Sequence, residues 1–391
     1  MKTIIPIGPY HPLQEEPELF KLEVEGEKVV GLEINLGYNH RGHEWLAEQK
    51  TYDQVPFLVE RICGICSNSH PLAGVQAIED INNVDIPIRA KYIRTVIAEL
   101  ERLHSHFLWC GLAGHFLGYN TVWMWFWKYR EPILDLFEKI TGNRNHYGMM
   151  KVGGVRKDIR EEDIPEIEKV LKLVEQKAML FTKAILDDPV LAARLVNVGI
   201  LTKQQGMDYG VIGPTARASG LAIDVRRDDP YAAYDLVKWD VIKFDEGDVM
   251  AKAKVRLLEC FESLKIIRQC LKEMPKGPFD LKVDDVPAGE GIGRAEAPRG
   301  EVIHYVRSDG TNMPIRYKVR APSYMNIASN AVAVKGCEIA DAVLVLAAVD
   351  PCYCCTERLV IANNNGQKLS TKDLLKLSWQ KTEKFRSKYK K

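Results

Sequence analysis

Glu60-Arg-Ile-Cys-Gly-Ile-Cys-Ser-Asn-Ser-His70 decides how the rest of the chain is read. Cys63 and Cys66 stand at Cys-x-x-Cys spacing, where one tight turn points both sulfurs the same way. Asp350-Pro-Cys-Tyr-Cys-Cys355, near the other end, repeats the spacing with Cys352 and Cys355. Soft thiolates select nickel, iron, copper or zinc over magnesium or calcium. One such pair could be a redox dithiol or half of a zinc site, whereas two pairs supply enough sulfur to close a tetrahedral site. Most of the chain lies between them, so a shared site must be assembled by the fold.

Around these motifs lies an ordinary globular composition: 391 residues, 46% hydrophobic and 27% charged, with ample material for a core. Its 54 basic and 53 acidic residues leave a net charge of +1, which gives no electrostatic case for nucleic acid as a partner. Nine cysteines, an odd number, behind a Met-Lys-Thr-Ile-Ile start argue against a secreted disulfide scaffold and predict a reducing, cytoplasmic setting. The apolar stretch 340–349 is broken by Asp341 and is about half the ~20 residues of a membrane span, so membrane attachment is expected only through partner subunits.

Alternation of apolar and polar residues over 20–36, about Glu25-Gly26-Glu27, predicts a hairpin within a small β-rich portion, 1–45. Residues 46–391 read as a helical body. From Ala90 to about Gly111, Ile93, Val96, Ile97, Leu100, Phe107 and Leu108 recur largely at helical steps, with His104 on the same stripe. Similar patterns run over 164–186 and 248–274, with Thr141-Gly-Asn and Lys276-Gly-Pro as punctuation. No linker or repeat divides the chain, and the expectation is a single, mainly α (α+β) domain with a bundle-like core. Gly213-Pro-Thr-Ala-Arg217 and the Gly-rich stretch 289–300 read as loops that deliver functional groups. Gly289, Gly291 and Gly293 lack the final spacing of a dinucleotide fingerprint, and nucleotide binding is rejected.

Over almost the full chain the two cysteine motifs resemble those of the large, catalytic subunit of nickel-iron hydrogenases. Gly8-Pro-Tyr-His-Pro12, Gly37-Tyr-Asn-His-Arg-Gly-His-Glu44, Gly213-Pro-Thr-Ala-Arg217 and Arg226-Arg-Asp-Asp-Pro-Tyr231 resemble its energy-converting, membrane-associated branch, related to the 49 kDa quinone-site subunit of respiratory complex I. The resemblance implies the hydrogenase large-subunit fold and a nickel held by Cys63, Cys66, Cys352 and Cys355. Cys66 and Cys355 would bridge to an iron carrying carbon monoxide and cyanide, while Cys63 and Cys352 would be terminal. A bridging thiolate has its lone pairs committed to two metals, so terminal Cys352 is the expected first proton acceptor when dihydrogen is split heterolytically. Glu16, beside Glu15, would carry the proton onward. Arg299 would hang over the open metal position and contact cyanide, Ser323 would donate to a second cyanide, and His70 would hydrogen-bond a bridging sulfur. His11 resembles a histidine that faces quinone in the complex I relative, here with a structural or proton-coupling role.

Each assignment has a plainer competitor: an exposed carboxylate pair for Glu15 and Glu16, a solvated arginine for Arg299, a loop hydroxyl for Ser323. His104 reads as a satisfied core histidine, His106 is left unassigned, and Cys354 reads as a packed small hydrophobe. Cys110, Cys260, Cys270 and Cys337 read as core thiols. Soluble members carry a histidine shortly after the last cysteine that helps bind a divalent ion; here the position is Arg358, which is expected to replace that ion, pair with Glu44 and leave the chain uncleaved. With no cysteine cluster to spare for an electron wire, a small iron-sulfur subunit is required. The resemblance adds further hydrophilic and integral membrane subunits that couple the reaction to ion translocation, ferredoxin as electron donor, and a peripheral position on the cytoplasmic face of the membrane. Two other readings stay open: a sulfur-reducing relative on the same scaffold without the binuclear metal, and a non-catalytic subunit, complex I-like or closed by structural zinc.

Overall fold

The computed structural model describes residues 2–12, 14–283, 285–356 and 368–389. The predicted hairpin forms as β2 (Leu19–Glu25) and β3 (Lys28–Asn35), turning through Gly26 at φ 61°. β1 (Thr3–Ile7) pairs with the free side of β2, so the hairpin is part of a three-stranded antiparallel sheet. Phe20, Leu22, Val24 and Val29 point into the core, while Lys21 and Glu23 alternate with them on the wetter face.

Five helices build the body: α1 (Ser69–Asn82), α2 (Ile88–Phe116), α3 (Asn120–Thr141), α4 (Ile164–Leu186) and α5 (Val249–Glu273). α4 begins and ends where the apolar period places it. α5 starts at Asp248, whose carboxylate accepts from Ala251 N at 2.7 Å. α2 overruns the expected 90–111 at both ends and is the central element, with α3 and α5 packed along it. It is buried on nearly all sides, and its interior includes Arg94, Glu99, Glu101, Arg102, His104 and His106. Buried charges persist only when paired. Arg94 therefore grips Glu79, and Glu99 meets Arg102 and Arg226.

The body is not all helix. β4 (Ala288–Ala297), β5 (Gly300–Asp309) and β6 (Arg316–Arg320) form a second three-stranded antiparallel sheet, where the glycines alone suggest a loop. The strand is hard to see because Gly and Ala fill its inward positions instead of branched residues. The reason is close approach: β4 lies directly on α1, and a Cβ on Gly293 would stand 1.9 Å from the Ala73 carbonyl oxygen. Gly213–Ala218, also read as a loop, is a short helix. The apolar stretch near the C-terminus is the largely buried helix Ile339–Ala347, and among the described residues no helix is long and apolar enough to cross a membrane. Cys110, Cys260 and Cys270 are buried as expected, while Cys337 is half-buried at the edge of the core.

Candidate metal centre

Cys63 and Cys66 occupy the turn between the short helix Val55–Glu60 and α1. Ile65 N and Cys66 N approach Cys63 Sγ at 3.3 and 3.2 Å and donate to it, an arrangement that favours a thiolate. Glu101, reaching over from α2, accepts from the backbone N–H groups of Asn68 and Ser69 and from the Ser69 hydroxyl. It thereby places a carboxylate at the start of α1, where the helix dipole favours negative charge. Burial pushes this carboxyl up to about 8 despite those donors. Glu60 accepts from Gly148 N at 2.7 Å and fixes the turn from the other side.

Cys352 leads into the single helical turn Tyr353–Thr356. Asp350, just before it, is buried in the left-handed conformation at φ 56°, which Asp tolerates better than most residues. Arg299 Nε donates to the Asp350 carbonyl at 2.8 Å, and its Nη2 lies 2.6 Å from the carboxylate, which also stands 3.8 Å from Arg256 Nε. Arg299 Nη1 donates to Ser105 Oγ at 3.1 Å and reaches Cys66 Sγ at 3.8 Å. Burial alone would weaken the charge on Arg299, but Asp350 and the sulfurs reverse that and hold it protonated. Ser323 Oγ accepts from Cys352 N at 2.9 Å, and Glu16 Oε2 accepts from Cys354 N at 2.7 Å. Arg41 ties the two halves together, donating to the carbonyls of Arg61, Ile62 and Cys354 at 2.9, 2.6 and 3.4 Å.

The sulfurs of Cys63, Cys352, Cys354 and Cys355 lie within 4.8 Å of one another. Cys352 Sγ is 3.2 Å from Cys63 Sγ, 3.3 Å from Cys354 Sγ and 2.7 Å from Cys355 Sγ. Three of the four expected ligands are thus grouped. Cys66 is buried beside them with its sulfur turned to Arg299, and among the described residues Cys354 completes the group instead. Cys354 is half-buried and packs on the core as read, yet its thiol also joins the cluster because the one-turn helix crowds three cysteines together. Sulfur contacts, that of Cys352 first, hold the Cys63 thiol well below its ordinary value, while burial pushes Cys355 up. Grouped soft sulfurs beneath a buried guanidinium are a donor set that fits a thiolate-held nickel-iron pair with anionic ligands.

His70 Nε2 is 3.5 Å from Cys355 Sγ. Its Nδ1 is 3.1 Å from His304 Nε2, and His304 Nδ1 is 2.7 Å from Tyr317 Oη. His104 is a satisfied core residue against the Ile65 carbonyl at 3.2 Å, and His106 pairs with Glu259 at 2.8 Å. His11, Glu15 and Glu16 line a surface recess of 420 Å³. Glu15 is exposed in this recess. Glu44 is engaged by Lys318 Nζ at 2.7 Å and Val319 N at 3.0 Å; Arg358, its expected partner, lies outside the described residues.

Sequence reading missed Arg41, Glu101, His304 and Tyr317. Glu101 carries a signal, an acid four residues after Ile97 on an apolar stripe, where only a paired charge survives. His304 carries one too, as the middle inward position of Val302-x-His304-x-Val306 on β5.

Two family models match the chain. That of the respiratory-chain NADH dehydrogenase 49 kDa subunit covers residues 117–286 and 280–358, and that of nickel-dependent hydrogenases covers 41–111. The membrane-bound hydrogenase subunit alpha of Pyrococcus furiosus is 41% identical over 97% of this chain and 93% of its own. The chain belongs to the family that joins nickel-iron hydrogenase large subunits to the complex I 49 kDa subunit. A second hydrogenase–complex I family member, the carbon monoxide-induced hydrogenase of Rhodospirillum rubrum, is 39% identical over 90% of this chain and 99% of its own. Among solved structures, a chain of the archaeal membrane-bound sulfane sulfur reductase superposes with a TM-score of 0.87 at 30% identity, covering 91% of this chain and 98% of that one. The mainly α fold with small antiparallel sheets is therefore the fold of this family of oxidoreductase subunits, and both the Pyrococcus furiosus hydrogenase and the sulfane sulfur reductase are described as membrane-bound.

Proposed function

We propose that this chain is the catalytic subunit of a membrane-associated nickel-iron hydrogenase complex, interconverting dihydrogen with protons and electrons. The observation that carries the proposal is the convergence of Cys63, Cys352 and Cys355 into one sulfur group with Cys66 and the charged Arg299 beside it. Cys63, Cys66, Cys352 and Cys355 would hold the metals. When bound, a nickel-iron pair with carbon monoxide and cyanide ligands supplies the Lewis acid and redox chemistry that polarises the H–H bond.

The protein residues have separate tasks. Arg299, fixed by Asp350, presents a permanent positive charge to anionic ligands in a dry site, where such charges act strongly. Ser323 accepts from Cys352 N and so keeps its own O–H free to donate to cyanide. The Cys352 sulfur takes the proton, and Glu16, anchored on Cys354 N, lies on the way to the recess that Glu15 shares. Glu15, exposed in the same recess, stands at the outer end of that route. Electrons would pass between this site and ferredoxin, the expected donor, through a small iron-sulfur partner subunit, with ion-translocating membrane subunits beneath.

The structural likeness to a sulfane sulfur reductase gives a second reading, sulfur reduction without the binuclear centre. Metal analysis of the purified complex separates the two. One nickel with iron, infrared bands of carbon monoxide and cyanide, and hydrogen evolution from reduced ferredoxin support the hydrogenase; iron-sulfur clusters with no nickel and with polysulfide turnover support the reductase. Zinc alone in this chain would overturn both.

A further inference from the structure

Three groups form a buried line away from the sulfurs: His70 on α1, His304 on β5 and Tyr317 on β6, all at most 1% exposed. Their contacts, 3.5 Å from Cys355 Sγ to His70, 3.1 Å from His70 to His304 and 2.7 Å from His304 to Tyr317, use every ring nitrogen. Among the described residues the Tyr317 hydroxyl meets no acceptor except His304 Nδ1, so the line ends there. A dead end moves no proton to solvent, but it can fix a polarity.

We propose that Tyr317 sets the tautomers of both histidines so that His70 presents an N–H to the Cys355 sulfur, making Tyr317 and His304 positioning residues for the metal centre. The reasoning is an account of donors. A buried hydroxyl must spend its proton on an available acceptor, here His304 Nδ1. His304 then carries its proton on Nε2 and donates to His70 Nδ1, and His70 carries its own on Nε2, facing the sulfur. The reverse order would leave the Tyr317 O–H with no acceptor, whether or not a metal is bound. The helix is shaped for the arrangement: a Cβ on Gly74, one turn after His70, would stand 2.7 Å from Tyr317 Oη and 3.4 Å from His304 Nδ1.

The consequence for the metals rests on the hydrogenase reading; the tautomers do not. Nitrogen-15 NMR of the histidine-labelled full chain should show His70 and His304 each as the Nε2–H tautomer, and both as tautomer mixtures in Tyr317→Phe. In the loaded complex the same variant should move the carbon monoxide and cyanide bands to lower wavenumber, since the sulfur loses a hydrogen bond and donates more charge. Gly74→Ala should be destabilised with Tyr317 present and relieved in the double variant with Tyr317→Phe. An Nδ1–H tautomer at His70, or tautomers unchanged in Tyr317→Phe, overturns the proposal even if the metals are present. Expected tautomers in a chain that binds no nickel uphold the polarity and sink the hydrogenase reading instead.

Discussion

Cys63 and Cys66 sit in a turn shaped by the helices on either side, whereas Cys352, Cys354 and Cys355 sit on one helical turn whose place is fixed by distant side chains. Backbone N–H groups a few residues away address Cys63. The C-terminal turn is instead held by Ser323, Arg299, Arg41 and Glu16, which stand 29, 51, 313 and 338 residues from the atoms they bind. One half draws part of its order from its own backbone, with Glu101 and the Gly148 N–H added from 33 and 88 residues away. The other exists only once most of the chain has folded around it.

The largest effects should come from the sulfurs themselves. Cys352→Ser should lose nickel and drop hydrogen evolution to background, whereas Cys354→Ala should keep both; equal loss from the two would make Cys354 a ligand and redraw the C-terminal half. Asp350→Asn leaves two buried guanidinium groups uncompensated and should cost about 3–5 kcal/mol in chemical denaturation. Its counterpart in the N-terminal half, Glu101→Gln, turns one acceptor oxygen into an NH2 donor facing the Asn68 or Ser69 N–H and should cost about 1–3 kcal/mol, with faster hydrogen exchange confined to the start of α1. The smallest effect is expected from Arg41→Ala, whose guanidinium is largely exposed. About 1 kcal/mol is a fair magnitude, yet it should speed nickel loss to a chelator because the clamp between halves is gone. Nickel loss unchanged in that variant would mean that the halves hold together without it.

The same contrast explains what the sequence could reveal. The Cys-x-x-Cys pairs, the period of α4 and the alternation of β2 and β3 are local patterns, and they emerge at the expected positions. Ser323, His70 and Arg299 were placed through resemblance, since each acts on a partner at least 29 residues away and leaves no periodic trace. β4 was misread for a specific reason: the glycines that let it lie on α1 erase the β-branched signal of a strand. Arg41 and Tyr317 show no local signal, because their targets are carbonyls and a ring that only the fold brings near.

The 3.2 Å contact between Cys63 and Cys352 joins positions 289 residues apart. Closing so long a loop carries a substantial entropy cost, and a metal held across it returns binding energy only to a chain that has already closed. Metal retention should thus act as an inspection step: a truncated or half-folded chain keeps Cys63 and Cys66 yet has nothing to lock them to. Nickel bound at this site would certify that both cysteine motifs are present and in place.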